Sequence, residues 1–297
     1  LPEEPMRPRF ADPRLGVSFM EVSQIENDRK GLKSTFYTKR WRVEPVDEAA
    51  YRRGETVEVK KPIVFYMDTL MPKAWQPYIK EGIEAWNEAF EKIGFRNVVR
   101  VMDFPKDDPD FNANNIKYST IRYAPLWLDM QNSMHVDPRT GEILNASLYI
   151  YDGLVSGLKT NRMLTTMAAD PGVRTTRFSE AMMGELIRVE IMREAGINLG
   201  LVYNAGASAV YPVDSLRSAK FTQKYGTTPS IMDYARFNYV VQPEDKGVKL
   251  TPPNLGIYDE YVIKWLYSPL YGLSAKEEQA MLESWIDEHA GDPIYRY

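Results

Sequence analysis

The chain has 297 residues and 44% hydrophobic side chains, enough for a real core in one large domain or two modest ones. Its 37 Lys+Arg stand against 41 Asp+Glu, and no basic cluster interleaves with aromatic residues, which argues against nucleic acid as a partner. Cysteine is absent, so disulfides, thiolate nucleophiles and sulfur metal sites are excluded; the longest uncharged run, 195–213, is too rich in Gly, Asn, Ser and Pro for a membrane span.

Residues 1–60 are rich in Pro, Arg and Glu, with short apolar alternations such as STFYTKRWRVEPV, and predict an arm or small sheet extension packing on a main domain at 61–297. The opening LPEEPMRPRF has neither an initiator Met nor a basic-then-apolar leader, so the chain reads as a processed or trimmed piece of a longer protein. KPIVFYMD predicts a buried strand. The stretch after it carries Tyr78, Ile79, Ile83, Trp86, Ala89 and Phe90 at helical spacing, predicting an amphipathic helix over 75–94. NVVRVMDF and IKYSTIRYA predict two further strands flanking the acidic loop PKDDPDFNANN. Next, Pro138 and Gly141 in DPRTG supply the torsions of a turn that reverses the chain into the strand EILNASLYIY.

The longest helix is predicted within 175–199, its body over 177–199, with Thr176 or Ser179 to cap its start and Gly200 where a left-handed stop belongs. It closes an N-terminal subdomain, 61–200. The C-terminal subdomain, 201–297, is loop-rich to about residue 245 and ends in helical segments near 258–267 and 275–289.

Residues 193–203 carry the main chemical signal. A zinc hydrolase helix of the form HExxHxxGxxH puts two imidazoles four residues apart on one face, a Glu between them to activate the bound water, and a Gly that turns the chain so that a third His returns to the metal. Written over this chain, the pattern keeps Glu194 and Gly200 but has Arg193, Ile197 and Tyr203 at the three His positions. One Glu and one Gly at that separation are a weak signal, compatible with an ordinary helix.

Longer blocks strengthen it. EAGINLGLVYN resembles the HEVGHTLGLRHN run of a bacterial metzincin family, the zinc-dependent proteases with an EcxA-like zinc-binding domain. Similar blocks are ADPRLGVSF, GIEAWNEAFEKIGF, STIRYA, DPRTGEIL and YPVDSLRSAKFTQKYGTTPSIMDYARFNYVVQPEDKGV, so the resemblance covers nearly the whole chain. It implies an α/β, metzincin-like (zincin) fold: a twisted mixed sheet with one antiparallel edge strand, an active-site helix, a Met-turn and the loop-rich C-terminal subdomain. It also implies metallopeptidase ancestry and a periplasmic, outer-membrane-associated or secreted location. By position, Arg193, Ile197 and Tyr203 hold the former metal-ligand sites and Glu194 the general-base site. Gly200 is the helix-breaking Gly, Met232 in SIMDY the Met-turn residue, and Tyr234 a Tyr able to stabilise a tetrahedral intermediate.

The departures from the family pattern bear on chemistry. Catalytic zinc needs about three protein donors at about 2.0 to 2.3 Å. Arg has no lone pair to give and repels a dication, Ile has no donor, and Tyr203 could ligate only as a phenolate. The two histidines, His135 and His289, lie outside the motif. The motif therefore reads as a degenerate zinc-binding motif, with no zinc cofactor expected. Glu194 is either a residual base or a carboxylate paired with Arg193 or another cation. Glu190 with Glu194 is either a hard-cation site or an ion-paired face beside Arg188 and Arg193. Arg193 either neutralises Glu194 or binds the carboxylate of a peptide end. Asp107, Asp108 and Asp110 resemble a calcium loop in composition only and read as a solvated turn.

Three functional classes stay open. One is an inactive pseudopeptidase that binds peptide or protein in the former cleft, with EILNASLYIY as the rim strand for backbone pairing. Another is a structural or regulatory module of a longer secreted protein. The third is a hydrolase with a metal-free mechanism using Glu194 and Tyr234.

Overall fold

The computed structural model describes residues 1–25, 31–128 and 130–297. An antiparallel hairpin, β1 (Phe19–Ile25) and β2 (Leu32–Thr38), precedes a short helix α1 (Glu48–Arg52) and strand β3 (Val57–Glu58). Then come β4 (Ile63–Met67), α2 (Gln76–Glu84), α3 (Asn87–Glu91), β5 (Phe95–Arg96) and β6 (Val99–Asp103). Strands β7 (Ser119–Ala124), β8 (Met130–Val136) and β9 (Ile143–Tyr151) complete the main sheet. Helices α4 (Gly153–Thr166) and α5 (Glu180–Asn198) follow, then α6 (Val213–Leu216), α7 (Ala219–Tyr225), α8 (Ile257–Tyr267) and α9 (Ala275–Asp287). No described helix is long and apolar enough to cross a membrane.

The sheet has the order β6-β4-β7-β9-β8, with parallel pairing throughout except for the antiparallel pair β8/β9. Alternation in β4 buries Ile63, Phe65 and Met67. The expected mixed sheet with one antiparallel edge strand is present. The turn between β8 and β9 forms where DPRTG stands: the Asp137 carbonyl accepts from Gly141 N–H at 2.9 Å, with Gly141 at φ 75°.

The rim assignment needs correcting. EILNASLYIY, which is β9, lies between β7 and β8, so both its edges are paired and it cannot take a further strand. Among the described residues the unpaired outer edges belong to β6 and to β8, MQNSMHV, and it is β8 that lies on the side of α5, where Asn132 reaches Glu194. The polarity of β8, natural for an edge facing water, is why it carries little apolar alternation.

Helix α5 lies against the sheet and against α2. Its start is capped by Ser179, whose hydroxyl accepts from Met182 N–H at 3.2 Å. Its last carbonyls are satisfied from other segments: Tyr267 Oη donates to Leu199 O at 2.6 Å and Trp41 Nε1 to Asn198 O at 2.8 Å. From 189 to 196 every residue is buried, three charged ones included. The predicted helix at 75–94 divides into α2 and α3 around Trp86, which is fully buried and donates its indole N–H to Met192 O at 2.8 Å.

The N-terminal segment laces onto the end of α5 and onto the C-terminal helices. Gly16 N–H donates to Tyr258 Oη at 2.8 Å, Val17 bridges Leu201, and Ser18 N–H donates to Gly200 O at 2.7 Å. Arg9, 4% exposed, donates to Glu278 at 2.9 Å, to the Trp265 carbonyl at 2.5 Å and to the Ser268 carbonyl at 3.0 Å. Removing one member of such a buried group leaves the other charge uncompensated. Arg9→Met is expected to lower the unfolding free energy by about 3 kcal/mol, seen as a lower urea midpoint at unchanged m-value. An unshifted midpoint would show that this tie contributes nothing.

Candidate active site

Helix α5 must settle the charges of Glu190, Arg193 and Glu194 inside the protein, because all three are at most 5% exposed. Arg193 donates through Nη2 to Glu190 Oε1, and Arg236, from the loop after Met232, donates to the same oxygen at 2.9 Å. Arg193 Nε lies 3.9 Å from Glu194 Oε1 and makes no hydrogen bond. Of the two acids, Glu190 is therefore its principal partner.

Glu194 is held from two other segments. Asn132, on edge strand β8, donates its amide to Oε2 at 2.6 Å, and Tyr203, just past the helix end, donates its hydroxyl to Oε1 at 2.8 Å. Burial, followed by the neighbouring Glu194 carboxylate, raises the Tyr203 phenol above its ordinary value of 10.0, holding it as a proton donor. The Tyr203 ring sits 5.6 Å from the Arg193 guanidinium carbon and 4.9 Å from the Tyr234 ring. Tyr234 itself is 64% exposed.

The structure thus brings Arg193, Glu194, Tyr203 and Tyr234 together. Ile197, on the next turn of α5, is half-buried against the core. Gly200 has φ 91° and ends the helix; a Cβ there would stand 2.1 Å from the Lys39 carbonyl oxygen, so both torsion and space call for Gly. Met232 is fully buried, and a Cβ on Gly196 would fall 2.4 Å from its sulfur, so that glycine lets the turn at 230–233 press against α5. The Met232 carbonyl accepts from Asn204 N–H at 2.8 Å.

That turn is anchored from α8. Asp259, fully buried, accepts from Ser230 Oγ at 2.6 Å and from the N–H groups of Ile231 and Gly256 at 2.7 Å each. Burial outweighs these hydrogen bonds and pushes its carboxyl up from 3.8 to about 7. Asp233 accepts from Thr228 Oγ1 at 2.9 Å and from Ser208, closing the other side.

Sequence reasoning missed Asn132, Arg236 and Asp259. Asn132 lies in a strand with weak alternation, Arg236 in an aperiodic loop, and Asp259 in the first turn of a helix where acids are common on the surface. The acidic cluster forms turns: Asp108 accepts from Asp110 N–H at 2.9 Å. His135 is exposed on β8, and His289 stacks on Tyr295 at 3.8 Å, so neither approaches α5's charged turn through these contacts.

The donor set does not fit a zinc ion. Arg193 is a buried cation, Ile197 has no lone pair, and Tyr203 spends its proton on Glu194. Among the described residues no group of three or more His, Cys, Asp or Glu side chains could hold a metal ion. A void of about 10 Å³ beside Glu190, Arg193, Asp233 and Arg236 leaves room for roughly one water.

Residues 175–297 match a family model described as Met-zincin, and residues 1–46 match another described as a domain of unknown function. Neither the curated proteins nor the solved structures yield a match to the chain.

The raised Asp259 carboxyl has a sign that can be measured. Below about pH 4 it is protonated whether the chain is folded or not; between about 4 and 7 only the fold keeps the proton, so its contribution to stability falls as pH rises through that window. Asp259→Asn mimics the protonated form, with an amide donor toward Ser230 and an oxygen left for the two N–H groups. It is expected to match the parent protein near pH 4 and to exceed it above pH 7, by up to about 4 kcal/mol. Parallel urea titrations at pH 4, 6 and 8 check this; equal slopes for both proteins would refute the raised carboxyl.

Proposed function

Residues 175–297 match a family model described as Met-zincin, and from that premise we propose that the chain is a zinc-peptidase relative without catalytic zinc, whose retained role is to bind an extended peptide or protein segment. The observation that carries the first half is the state of Glu194: both its oxygens accept hydrogen bonds, from Asn132 at 2.6 Å and from Tyr203 at 2.8 Å. A general base must reach a water held near an electrophile, and this carboxylate is committed to protein donors. Arg193 supplies the positive centre in the motif's first ligand position and is consumed by Glu190. That pairing argues against Arg193 as the receptor for a peptide carboxylate.

Binding rests on the outer edge of β8, unpaired among the described residues, which offers backbone groups to an extended chain, with the exposed Tyr234 ring available beside the charged turn. We read the 230–233 turn as the Met-turn, kept for packing, and take from the family an exported location. The filled interior around Arg193 equally favours a second reading, in which this is a structural module of a longer protein and the edge strand is idle. Hydrolysis by Glu194 and Tyr234 without metal is the least supported, because an uncharged water is hard to activate without help.

Elemental analysis and peptidase assays on the purified protein test the first half. The expected outcome is substoichiometric zinc and no chelator-sensitive cleavage of casein; one zinc per chain would overturn it. Glu194→Gln is expected to cost about 1–2 kcal/mol of stability, through one misdirected hydrogen bond, with no change in turnover. If instead it abolished a real hydrolytic activity, the metal-free enzyme would be the correct reading. Arg193→His, Ile197→His and Tyr203→His made together are expected to create a zinc site, since Gly200 and the Met232 turn hold the backbone around these positions. Failure of the triple variant to take up zinc would show that the site's geometry has drifted as well as its ligands.

A further inference from the structure

A cavity of about 610 Å³ lies where residues 13–14, α8 and the chain after α9 meet. None of its lining residues belongs to the charged turn of α5 or to the turn at 230–233, and its size is within the range of small-molecule sites. Its walls are fixed by local contacts. Arg14 is held by Asp12 at 2.7 Å and by Asp287, at the end of α9, at 2.8 Å. Asp292 Oδ1 accepts from Ile294 N–H at 2.9 Å, which tightens the turn at 293–295. The Tyr295 and His289 rings stack with centroids 3.8 Å apart, and Tyr261, 6% exposed, meets both edge-on at 5.1 Å. Behind them the Arg296 carbonyl accepts from Asn204 Nδ2 at 3.0 Å, and a Cβ on Gly16 would stand 2.8 Å from the Tyr297 ring, so residues 296 and 297 are pinned against the body.

The lining is chemically mixed. Two guanidiniums, Arg14 and Arg296, are matched by two carboxylates, Asp287 and Asp292, so a ligand with net charge gains nothing from the walls as a whole. Hydrogen-bonding capacity is left over: among the described residues the His289 imidazole, the Arg296 guanidinium, the Tyr295 and Tyr297 hydroxyls and Asp292 Oδ2 have no partner. A guanidinium only donates and a carboxylate only accepts, whereas imidazole and phenol do both. Such a set suits a ligand whose own groups both donate and accept. The aromatic rings, with Ile286 and Pro293, add apolar surface for one face of it. A pyranose has that form, with hydroxyls around its rim and C–H bonds, slightly positive at hydrogen, that lie against the negative face of an aromatic ring.

We propose that this cavity is a saccharide site, taking an uncharged hexopyranose unit with one ring face on Tyr297 and its hydroxyls on His289, Arg296 and Asp292. Tyr297 is 48% exposed, and Gly16 lies against its ring. The site stands independently of the peptide-binding reading, since it shares no residue with β8 or with the charged turn of α5.

The test is saturation-transfer NMR on the full chain with methyl glucoside, methyl galactoside, N-acetylglucosamine and cellobiose, and with benzoate and benzylammonium as charged controls of similar size. At least one saccharide is expected to bind with a dissociation constant on the order of millimolar, as a ligand of about a dozen heavy atoms permits, with transfer strongest at its ring C–H protons. Benzoate and benzylammonium are expected to bind at least about tenfold more weakly, because the wall charges cancel. His289→Ala removes a free donor and acceptor, and Ala290→Trp fills the space from an exposed position of the lining. Each is expected to weaken saccharide binding at least about tenfold, and Ala290→Trp to do so at an unchanged thermal midpoint. If none of the saccharides binds at tens of millimolar, the site does not exist. Tighter binding of either charged control would overturn the ligand class, and saccharide binding that survives both substitutions would overturn the location.

Discussion

Three charged side chains buried within five consecutive positions of one helix set the terms for the rest of the molecule. Glu190, Arg193 and Glu194 cannot be left bare at that depth, since each unpaired charge would cost several kcal/mol. The protein meets this with donors drawn from three places: Arg236 from the loop after the 230–233 turn, Tyr203 from just beyond the helix and Asn132 from the edge strand. A helix whose polar side chains demand partners from opposite walls fixes the separation of those walls. The charged turn of α5 is thus a spacer between the sheet and the C-terminal segment.

That arrangement commits both oxygens of Glu194 to protein donors: the carboxylate accepts two hydrogen bonds, one from Asn132 and one from Tyr203. Burial and the acid beside it hold the Tyr203 hydroxyl in its protonated, donating form. The positive centre in this turn is the Arg193 guanidinium. A metal ion accepts lone pairs and activates water; a guanidinium only donates hydrogen bonds, so the same electrostatic balance comes with none of the Lewis acidity.

The surroundings are tightened to match. Asp259 gathers Ser230, Ile231 and Gly256 beneath the turn that carries Met232, and the absence of a side chain at Gly196 lets that turn lie against α5. From the far side, Arg9 and the segment through Ser18 bind the C-terminal helices and the residue that ends α5. The segments matched by the two family models are therefore joined by buried hydrogen bonds. Among the described residues the outer edges of β6 and β8 are unpaired, and Trp127 and Tyr234 are exposed.

The sequence by itself determined most strands of the main sheet, the long helix and the chemical limits, but not α4, over which no helical pattern is read. Short β-branched and aromatic runs located β4, β6, β7 and β9; Pro138 and Gly141 marked the hairpin; Thr176 or Ser179 and Gly200 bracketed the long helix, because these signals depend only on neighbours along the chain. The spacing of Arg193, Glu194, Ile197, Gly200 and Tyr203 was equally local, and the inability of Arg and Ile to donate lone pairs needs no coordinates at all. Tertiary structure alone decided which strand forms the rim, which acid takes Arg193, and how Glu194 is held. Those outcomes join residues 46 and 62 positions apart, Glu190 with Arg236 and Asn132 with Glu194. No local pattern encodes such pairs; they follow from the packing of α5 between sheet and loop, where burial makes each charge find whichever donor the fold has brought within reach.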